Sequence, residues 1–359
     1  MGSAQDGGKF LASGAYGCIY YPHLKCKDVN NIKNGVGKVF ADVNAYEAEL
    51  DIVKGIQKHV DPTNKFTVSM LDSCGVHYYR KTDEINKCVL MEQESKPSDF
   101  KQIIYKYSGT SLQSMLSNKK AKGSKVKFIK LFRMLGPIIE GLTKMNKKQL
   151  VHCDIKPDNL MVIKNKMHLI DFGILCQDNE VFTKERINIL VSDYIWFPPE
   201  FKAYYFRNSN GYDKLFKRII DNFTGYSDIA NSLYNVLRMN PKRDFEAFFK
   251  DKVSKKQYLE SFASKVDTYS LGMVLLSLYV WSGFDKLKYK RQCTSSKART
   301  MILDMIRGMV QFDPRKRLSA QQVLIQYSNI ITFIDCMQQN IKNEQKPKGN
   351  KLNHCLKNL

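Results

Sequence analysis

Two short polar motifs stand twelve residues apart near the middle of the chain, and their spacing constrains the fold more than any other feature. The motifs are HCDIKPDN at residues 152–159 and DFG at residues 171–173. Between them, the apolar runs Leu160–Ile163 and Met167–Ile170 flank a polar Lys-Asn-Lys sequence. Two short apolar runs around a polar turn predict a β-hairpin. Such a hairpin brings Asn159 and Asp171 to the same edge.

The residue types in these motifs suit the transfer of a phosphoryl group from ATP. That reaction needs metal ions that neutralise phosphate charge, a carboxylate that orients the attacking hydroxyl, and a cation near the transferred group. Asp154 is the candidate catalytic base, Lys156 the candidate cation, and Asn159 and Asp171 are the candidate metal ligands. A single carboxylate is more often a solvated surface residue, so the prediction depends on the joint spacing of the four.

The chain changes character near residue 108. Before it, β-like runs are predicted at 10–21, 36–40, 66–71, 76–79, 88–91 and 103–107, with one helix at 43–58. After it, apolar residues follow helical spacing from Phe128 to Met145, and Pro137 should kink that helix or mark its true start. A β-rich part therefore precedes a helical part.

These motifs, with others in the same order, resemble those of the eukaryotic protein kinase family. The resemblance runs from about Leu11 to Leu324 and implies an α+β, two-lobed protein kinase fold. The implied parts are an N-terminal extension (1–9), a small β-rich N-lobe (10–108), a larger helical C-lobe (109–335) with a helical insertion (201–264), and a basic C-terminal tail (336–359).

The resemblance also implies a site for ATP with Mg²⁺, or alternatively Mn²⁺. The implied nucleotide-binding residues are Ala12, Gly14, Gly17, Ile19, Val36, Lys38, Lys106, Ser108 and Met161. Lys38 would contact the α- and β-phosphates and pair with a helix glutamate, either Glu49 or Glu47. Ala12 departs from the family pattern, which has glycine there. Tyr105 would be the gatekeeper residue.

Later motifs extend the resemblance. Pro198-Pro199-Glu200 resembles the end of the activation segment, and Arg317 would pair with Glu200. The sequence 267–272 resembles the start of the buried helix below the catalytic loop. Two departures concern the reaction itself. Cys153 replaces the arginine that meets an activation-segment phosphate, and Asp193 replaces a threonine that touches the catalytic residues, with Ser192 as a substitute after a one-residue shift.

The resemblance implies a serine/threonine protein kinase, because Lys156 follows the candidate base by two residues. Cys153 and Asp193 leave a pseudokinase scaffold as an alternative. A small-molecule kinase of the same fold is a second alternative, although such enzymes lack the Pro-Pro-Glu segment with its matched arginine. The large insertion and the abundant Lys, Asn and Ile also resemble the divergent kinases of large DNA viruses.

Composition supplies the remaining expectations. With 43% hydrophobic and 26% charged residues, the chain can build a real core. The apolar stretch Tyr269–Phe284 is shorter than the roughly 20 residues of a membrane span, so we expect a buried helix. The nine cysteines are scattered and contain no C-x-x-C pair, so we expect neither a zinc site nor a disulfide scaffold. We expect reduced thiols, which are typical of a cytoplasmic protein, or of the host cytoplasm or virion if the chain is viral. The net charge of +22 fits either a solvated lysine-rich surface or weak binding to nucleic acid or another polyanion. The expected partners are otherwise protein substrates.

Overall fold

A computed structural model shows two compact units. Unit 1 comprises residues 1–111 and 159–175, and unit 2 comprises residues 112–158 and 176–359. The structure describes residues 8–14, 17–27, 32–77, 84, 87–92, 100–107, 109–117, 125–190, 194–207, 233–250, 254–284 and 296–344. Unit 1 is rich in strands and unit 2 in helices, which confirms the predicted α+β, two-lobed fold class.

The secondary-structure elements are named in chain order. The strands are β1 (Lys9–Ser13), β2 (Cys18–Tyr21), β3 (Gly35–Phe40), β4 (Met70–Gly75), β5 (Lys101–Lys106), β6 (Thr110–Ser111), β7 (Leu150–Val151), β8 (Leu160–Ile163), β9 (Lys166–Leu169) and β10 (Cys176–Gln177). The helices are α1 (Val43–His59), α2 (Val89–Glu92), α3 (Leu112–Ser117), α4 (Lys125–Met134), α5 (Gly136–Lys147), α6 (Lys184–Leu190), α7 (Pro199–Arg207), α8 (Pro241–Lys250), α9 (Lys255–Gln257), α10 (Val266–Trp281), α11 (Ser296–Met309) and α12 (Ala320–Glu344).

Unit 1 contains a five-stranded antiparallel sheet in the order β1-β2-β3-β5-β4, with helix α1 packed against it. The carboxylate of Asp42 caps α1 by accepting a hydrogen bond from the N–H of Asn44. Four residues of α1 at intervals of three or four are buried and form the face toward the sheet, because this spacing returns to one side of a helix. They are Tyr46, Glu49, Val53 and Ile56.

A second, three-stranded sheet of unit 1 has the order β6-β8-β9. Strands β8 and β9 pair in antiparallel register from Leu160 opposite Leu169 to Ile163 opposite Lys166, which confirms the predicted hairpin. Lys164 takes a positive φ of 54° in the turn. At the entry to β6, Gly109 has a φ of 72°, and an added Cβ would lie 2.4 Å from the carbonyl oxygen of Val162, so this position requires glycine.

Unit 2 is built around α10, which is buried along almost its whole length. The apolar stretch at 269–284 is therefore a buried helix, as predicted, and no described helix is long and apolar enough to cross a membrane. Pro137 lies in the first turn of α5, so it marks the start of a second helix rather than a kink. The described parts of the insertion are helical, and residues 208–232 lie outside the described residues.

Two disulfides contradict the expectation of reduced cysteines. Both lie in unit 1, where Cys18 is bonded to Cys88 and Cys26 to Cys74. The expectation was wrong because it depended on closely spaced cysteines, whereas these bonds join residues separated by 70 and 48 positions. The folding of the sheet brings them together, and the sequence spacing gives no sign of it.

Two strand predictions were wrong. Strand β4 begins only at Met70, so most of the run predicted at 66–71 is not a strand. The apolar run at 88–91 is not a strand, since helix α2 begins at Val89. A run of four apolar residues fits a helical turn as well as a strand, so periodicity could not decide. At the other end of the chain, α12 continues to Glu344, so the first part of the predicted tail is helical. Residues 345–359 lie outside the described residues.

Candidate active site

Lys38, on the central strand β3, is the centre of a buried ionic network in unit 1. Its ammonium lies 2.6 and 2.9 Å from the two carboxylate oxygens of Glu49 and 2.9 Å from Oδ1 of Asp171. Glu49 lies on the buried face of α1, whereas Glu47 is exposed. The structure therefore pairs Lys38 with Glu49, the first of the two glutamates named from the sequence.

The network shifts the protonation equilibria of its members. Burial disfavours the charged ammonium of Lys38, but the carboxylates of Glu49 and Asp171 outweigh this effect and raise its pKa. Burial raises the pKa of Glu49, and the nearby ammonium offsets only part of that rise. Lys38 therefore stays charged, and Glu49 depends on it as a counter-ion.

Asn159 and Asp171 stand at the same end of the β8–β9 hairpin. The N–H of Ile170 donates a 3.0 Å hydrogen bond to the carbonyl of Asn159, which extends the hairpin ladder to these two positions. Asn159 is buried, whereas 39% of the Asp171 side chain is exposed. Asp171 has a positive φ of 64°, an uncommon conformation for a residue with a side chain. Two residues with oxygen-bearing side chains thus stand at one edge of the hairpin, as predicted.

The glycines of the β1–β2 turn are constrained differently. The N–H of Gly14 donates a 2.8 Å hydrogen bond to the carbonyl of Gly17. A Cβ at Gly17 would lie 2.6 Å from the carbonyl oxygen of Val39, so packing within the sheet already requires glycine there. A Cβ at Gly14 would meet nothing closer than 3.5 Å. Ala12 is exposed on β1 opposite Ile19, and residues 15 and 16 lie outside the described residues.

The implied adenine-binding residues occupy neighbouring strands of unit 1. Ile19 pairs with Lys38, and Val36 pairs with Tyr105. Lys106 is exposed at the end of β5, and its N–H donates a 2.8 Å hydrogen bond to the carbonyl of Ser69. Met161 lies on β8 in the second sheet and is partly buried. Ser108 lies outside the described residues.

In unit 2, Asp154 and Lys156 form an ion pair, with 2.8 Å between Oδ2 and Nζ. The loop that carries them is fixed from below by the buried carboxylate of Asp267 on α10. This carboxylate accepts hydrogen bonds from the N–H groups of His152, at 2.7 Å, and Cys153, at 2.9 Å. Cys153 takes a positive φ of 65°. The sharp loop is thus specified by two backbone hydrogen bonds to one side chain.

The predicted partners Glu200 and Arg317 form a fully buried bidentate pair in unit 2, with 2.8 Å between Nη2 and Oε2. The Arg317 guanidinium also lies over the ring of Tyr269, 4.9 Å from its centroid. An isolated charge in this position would be strongly unfavourable, so the two residues depend on each other.

Two features near the candidate site, a contact of Tyr105 and the turn at Asp61, were not predicted from the sequence. The hydroxyl of Tyr105 lies 3.3 Å from Oε1 of Glu49 and donates to it. Asp61 is fully buried, and its carboxylate accepts hydrogen bonds from the backbone N–H groups of residues 65–67. That turn leads into a bridge between Thr67 and Leu169, the last residue of β9. The Asp-Pro-Thr-Asn sequence at 61–64 signals such a turn, but no local pattern signals the Tyr105 contact.

Comparison with known proteins gives the family. The sequence matches the family described as "Protein kinase domain" over residues 33–214, just over half of the chain. The chain belongs to the protein kinase domain family. The pairing of Lys38, Glu49 and Asp171 is consistent with this membership.

Curated relatives are similar over part of their length. The chain is 25% identical over 134 residues to the dual specificity protein kinase YAK1 of Saccharomyces cerevisiae, covering 36% of this chain and 14% of that protein. It is 26% identical over 168 residues to the MAP kinase kinase MKK1/SSP32 of the same yeast, covering 46% and 28%. It is 32% identical over 177 residues to the DYRK-family kinase pom1 of Schizosaccharomyces pombe, covering 48% and 14%. The match thus spans less than a third of each of these relatives.

Proposed function

We propose that the chain is a serine/threonine protein kinase that transfers the γ-phosphoryl group of Mg-ATP to hydroxyl groups of other proteins. The observation that carries the proposal is the buried Lys38 ammonium, bound by Glu49 on one side and Asp171 on the other. Burying a charged lysine is unfavourable unless a counter-ion lies beside it, and here Glu49 of helix α1 is one such counter-ion. Such a fixed cation suits the binding of a nucleotide phosphate.

The residues at the hairpin edge fit a magnesium ion. Mg²⁺ prefers oxygen ligands and is bound by one or two carboxylates together with substrate phosphates and water. Asp171 supplies a partly exposed carboxylate and Asn159 an amide oxygen. Among the described residues, no group of three or more His, Cys, Asp or Glu side chains could form an all-protein metal site. A site completed by the nucleotide is consistent with both observations.

In the proposed reaction, the Asp154 carboxylate accepts the proton of the substrate hydroxyl, and the ammonium of Lys156 stabilises the negative charge of the transferred group. Bound Mg-ATP supplies the phosphoryl group and the metal charge that neutralises it. The 2.8 Å ion pair between Asp154 and Lys156 holds the charged ends of both side chains next to each other. Asp267 positions this loop through the backbone.

Selectivity for serine and threonine rests on Lys156, two residues after the proposed base. The relatives include a dual specificity kinase, so phosphoamino-acid analysis of the product is the direct test. Phosphotyrosine in the product would contradict this part of the proposal. The buried pair of Glu200 and Arg317 disfavours a small-molecule kinase, because such enzymes lack the Pro-Pro-Glu segment and its matched arginine.

A radiolabelled-ATP assay on mixed acidic and basic proteins tests the proposal. We expect transfer by the wild type and a loss of about 10²–10⁴-fold in Asp154→Asn, since general base catalysis contributes that much. Lys38→Met and Asp171→Ala should be similarly impaired, and Asp171→Ala should also lose Mg-dependent nucleotide binding. Asp51→Asn, an exposed residue of α1, is the matched control. Mg-ATP binding without turnover on any protein would instead establish a pseudokinase.

A further inference from the structure

Tyr194 lies beside the candidate catalytic pair of unit 2. The ammonium of Lys156 is 5.6 Å from the centroid of the Tyr194 ring and 2.8 Å from the Asp154 carboxylate. The side chains of Lys156 and Asp154 are only 23% and 13% exposed. A cation within about 6 Å of an aromatic ring face is attracted by the negative electrostatic potential of that face. The Lys156 ammonium therefore lies near both a carboxylate and a neutral ring.

The position of Tyr194 is itself fixed by neighbouring elements. The N–H of Phe197 donates a 3.0 Å hydrogen bond to the carbonyl of Tyr194, which closes a tight turn. The rings of Tyr194 and Phe197 meet edge to face at 5.3 Å, and Phe197 in turn contacts Phe201 on α7. The hydroxyl of Ser270 on α10 donates a 2.7 Å hydrogen bond to the carbonyl of Trp196. The turn that carries the Tyr194 ring is therefore held by contacts with two helices, and a ring fixed in this way can orient a flexible side chain.

We propose that Tyr194 is a positioning residue for Lys156. Its ring replaces the contact with the catalytic residues that the family's threonine makes, because position 193 of this chain is an aspartate. The inference rests on the proposed function. A lysine side chain has four rotatable bonds, and a contact at its ammonium restricts mainly the end of the side chain. The ring restricts it from a second side. Because the ring carries no net charge, it leaves the positive charge of Lys156 available to a phosphoryl group.

The hydroxyl of Tyr194 is not needed for this role. Burial raises the pKa of Tyr194, and the Lys156 ammonium offsets only part of that rise. The side chain is therefore a neutral phenol at neutral pH, and a phenylalanine presents the same kind of ring face. An aliphatic residue of similar volume fills the space but attracts no cation. This contrast separates positioning from packing.

Steady-state kinetics of three variants test the inference. Tyr194→Phe should keep kcat within about threefold of the wild type, and Tyr194→Leu should lower kcat by about tenfold or more with little change in the KM for ATP, as expected when a contact of this strength acts in the transition state. Tyr205→Leu is the matched control, since Tyr205 is an exposed residue of α7. The thermal unfolding midpoint of each variant shows whether it is folded.

A second measurement does not depend on activity. Reductive ¹³C-methylation of the lysines gives each dimethyl-lysine a signal, and Lys156→Arg identifies that of Lys156. A ring at this distance should shift the signal in the wild type and in Tyr194→Phe, and the shift should disappear in Tyr194→Leu. A wild-type rate in Tyr194→Leu, or a Lys156 signal that is insensitive to residue 194, would overturn the inference while the proposed function stood. An inactive wild type with the ring-dependent shift would overturn the function and leave the contact established.

Discussion

Asp267 is a fully buried carboxylate that fixes the loop of the candidate base through two backbone N–H groups. Burial raises the pKa of Asp267 to about 6, and the hydrogen bonds from His152 and Cys153 offset only part of the rise. In the unfolded chain the same carboxyl titrates near its ordinary value of 3.8. The folded protein therefore binds a proton at this site at pH values where the unfolded chain has lost it.

Because the folded state binds the Asp267 proton more tightly, protonation of Asp267 stabilises the fold. This contribution to the free energy of unfolding is fully present below pH 3.8 and is lost as the pH rises through about 6. We predict that wild type loses stability relative to Asp267→Asn between pH 4 and pH 7, because asparagine does not titrate. Urea unfolding of both proteins across this range measures the difference. A difference that is constant or grows with pH would show that the carboxyl titrates normally.

At the scale of residues, the sequence predicts which side chains belong to the candidate site but not all of the contacts that they make. Glu49 could be named as a partner of Lys38, with Glu47 as the alternative, because apolar residues follow Glu49 on the inner face of α1. The hydrogen bond from Tyr105 to Glu49 could not be predicted, because it depends on how β5 lies relative to α1. Asp193, which departs from the family pattern, and Ser192, the candidate substitute, lie outside the described residues.

At the scale of elements, the segment from 174 to 190 is held by packing and backbone pairing. Strand β10 pairs with β7, and the N–H of Asp178 donates to the carbonyl of Gln149. Phe182 then packs against the rings of Phe201, Tyr204 and Tyr258 at 5.2–5.7 Å. Tyr258 belongs to the insertion predicted at 201–264. These contacts order the segment where the sequence offers no catalytic-loop arginine for a phosphate.

We therefore predict activity without phosphorylation of this segment. Phosphatase-treated enzyme and Thr183→Ala should keep their rate on an external substrate within about threefold of the untreated wild type, because no guanidinium of the catalytic loop is available to bind a phosphate. Phe182→Ala should instead lower both rate and stability, since truncating a buried phenylalanine costs about 3–5 kcal/mol. A fall of about tenfold or more in both phosphorylation tests would point to another cation, with Lys184 and Arg186 nearest in sequence.

Elements whose own sequence contains both the hydrophobic pattern and the expected length or turn were predicted correctly. The β8–β9 hairpin has two apolar runs and a polar turn, and α10 is apolar on all sides, which is typical of a buried helix. The run at 88–91 has no such signal, and its helix follows directly after Cys88, which is bonded to Cys18. Tertiary contacts therefore decide the conformation where the local pattern is ambiguous.

At the scale of the whole molecule, four cysteines of unit 1 are oxidised to disulfides, whereas the two cysteines near the candidate base are free thiols. Cys18, Cys26, Cys74 and Cys88 are bridged, whereas Cys153 and Cys176 are not, although their sulfur atoms are 3.9 Å apart. The two bridges close large loops within the five-stranded sheet and its connections. A bridge over a long loop stabilises a protein mainly by restricting the unfolded chain.

We predict that reduction lowers the stability of the protein, by about 2–4 kcal/mol for each bridge. Guanidinium unfolding with and without a phosphine reductant measures the change, and peptide mapping without reduction should recover the 18–88 and 26–74 peptides. A variant with both Cys74→Ser and Cys88→Ser is the control, since its unfolding should not respond to the reductant. Equal midpoints for oxidised and reduced wild type would contradict a stabilising role.

The formal net charge of +22 is also a property of the whole molecule. Cationic proteins bind polyanions by displacing condensed counter-ions, so their affinity falls steeply as salt rises. We predict weak, sequence-independent binding to labelled single- and double-stranded oligonucleotides, with affinity falling by an order of magnitude or more between about 50 and 200 mM salt. Deleting residues 345–359, which contain four lysines and no acidic residue, should reduce the salt dependence and leave the transfer rate unchanged. An affinity that is flat over this range would mean that the basic surface serves solubility alone.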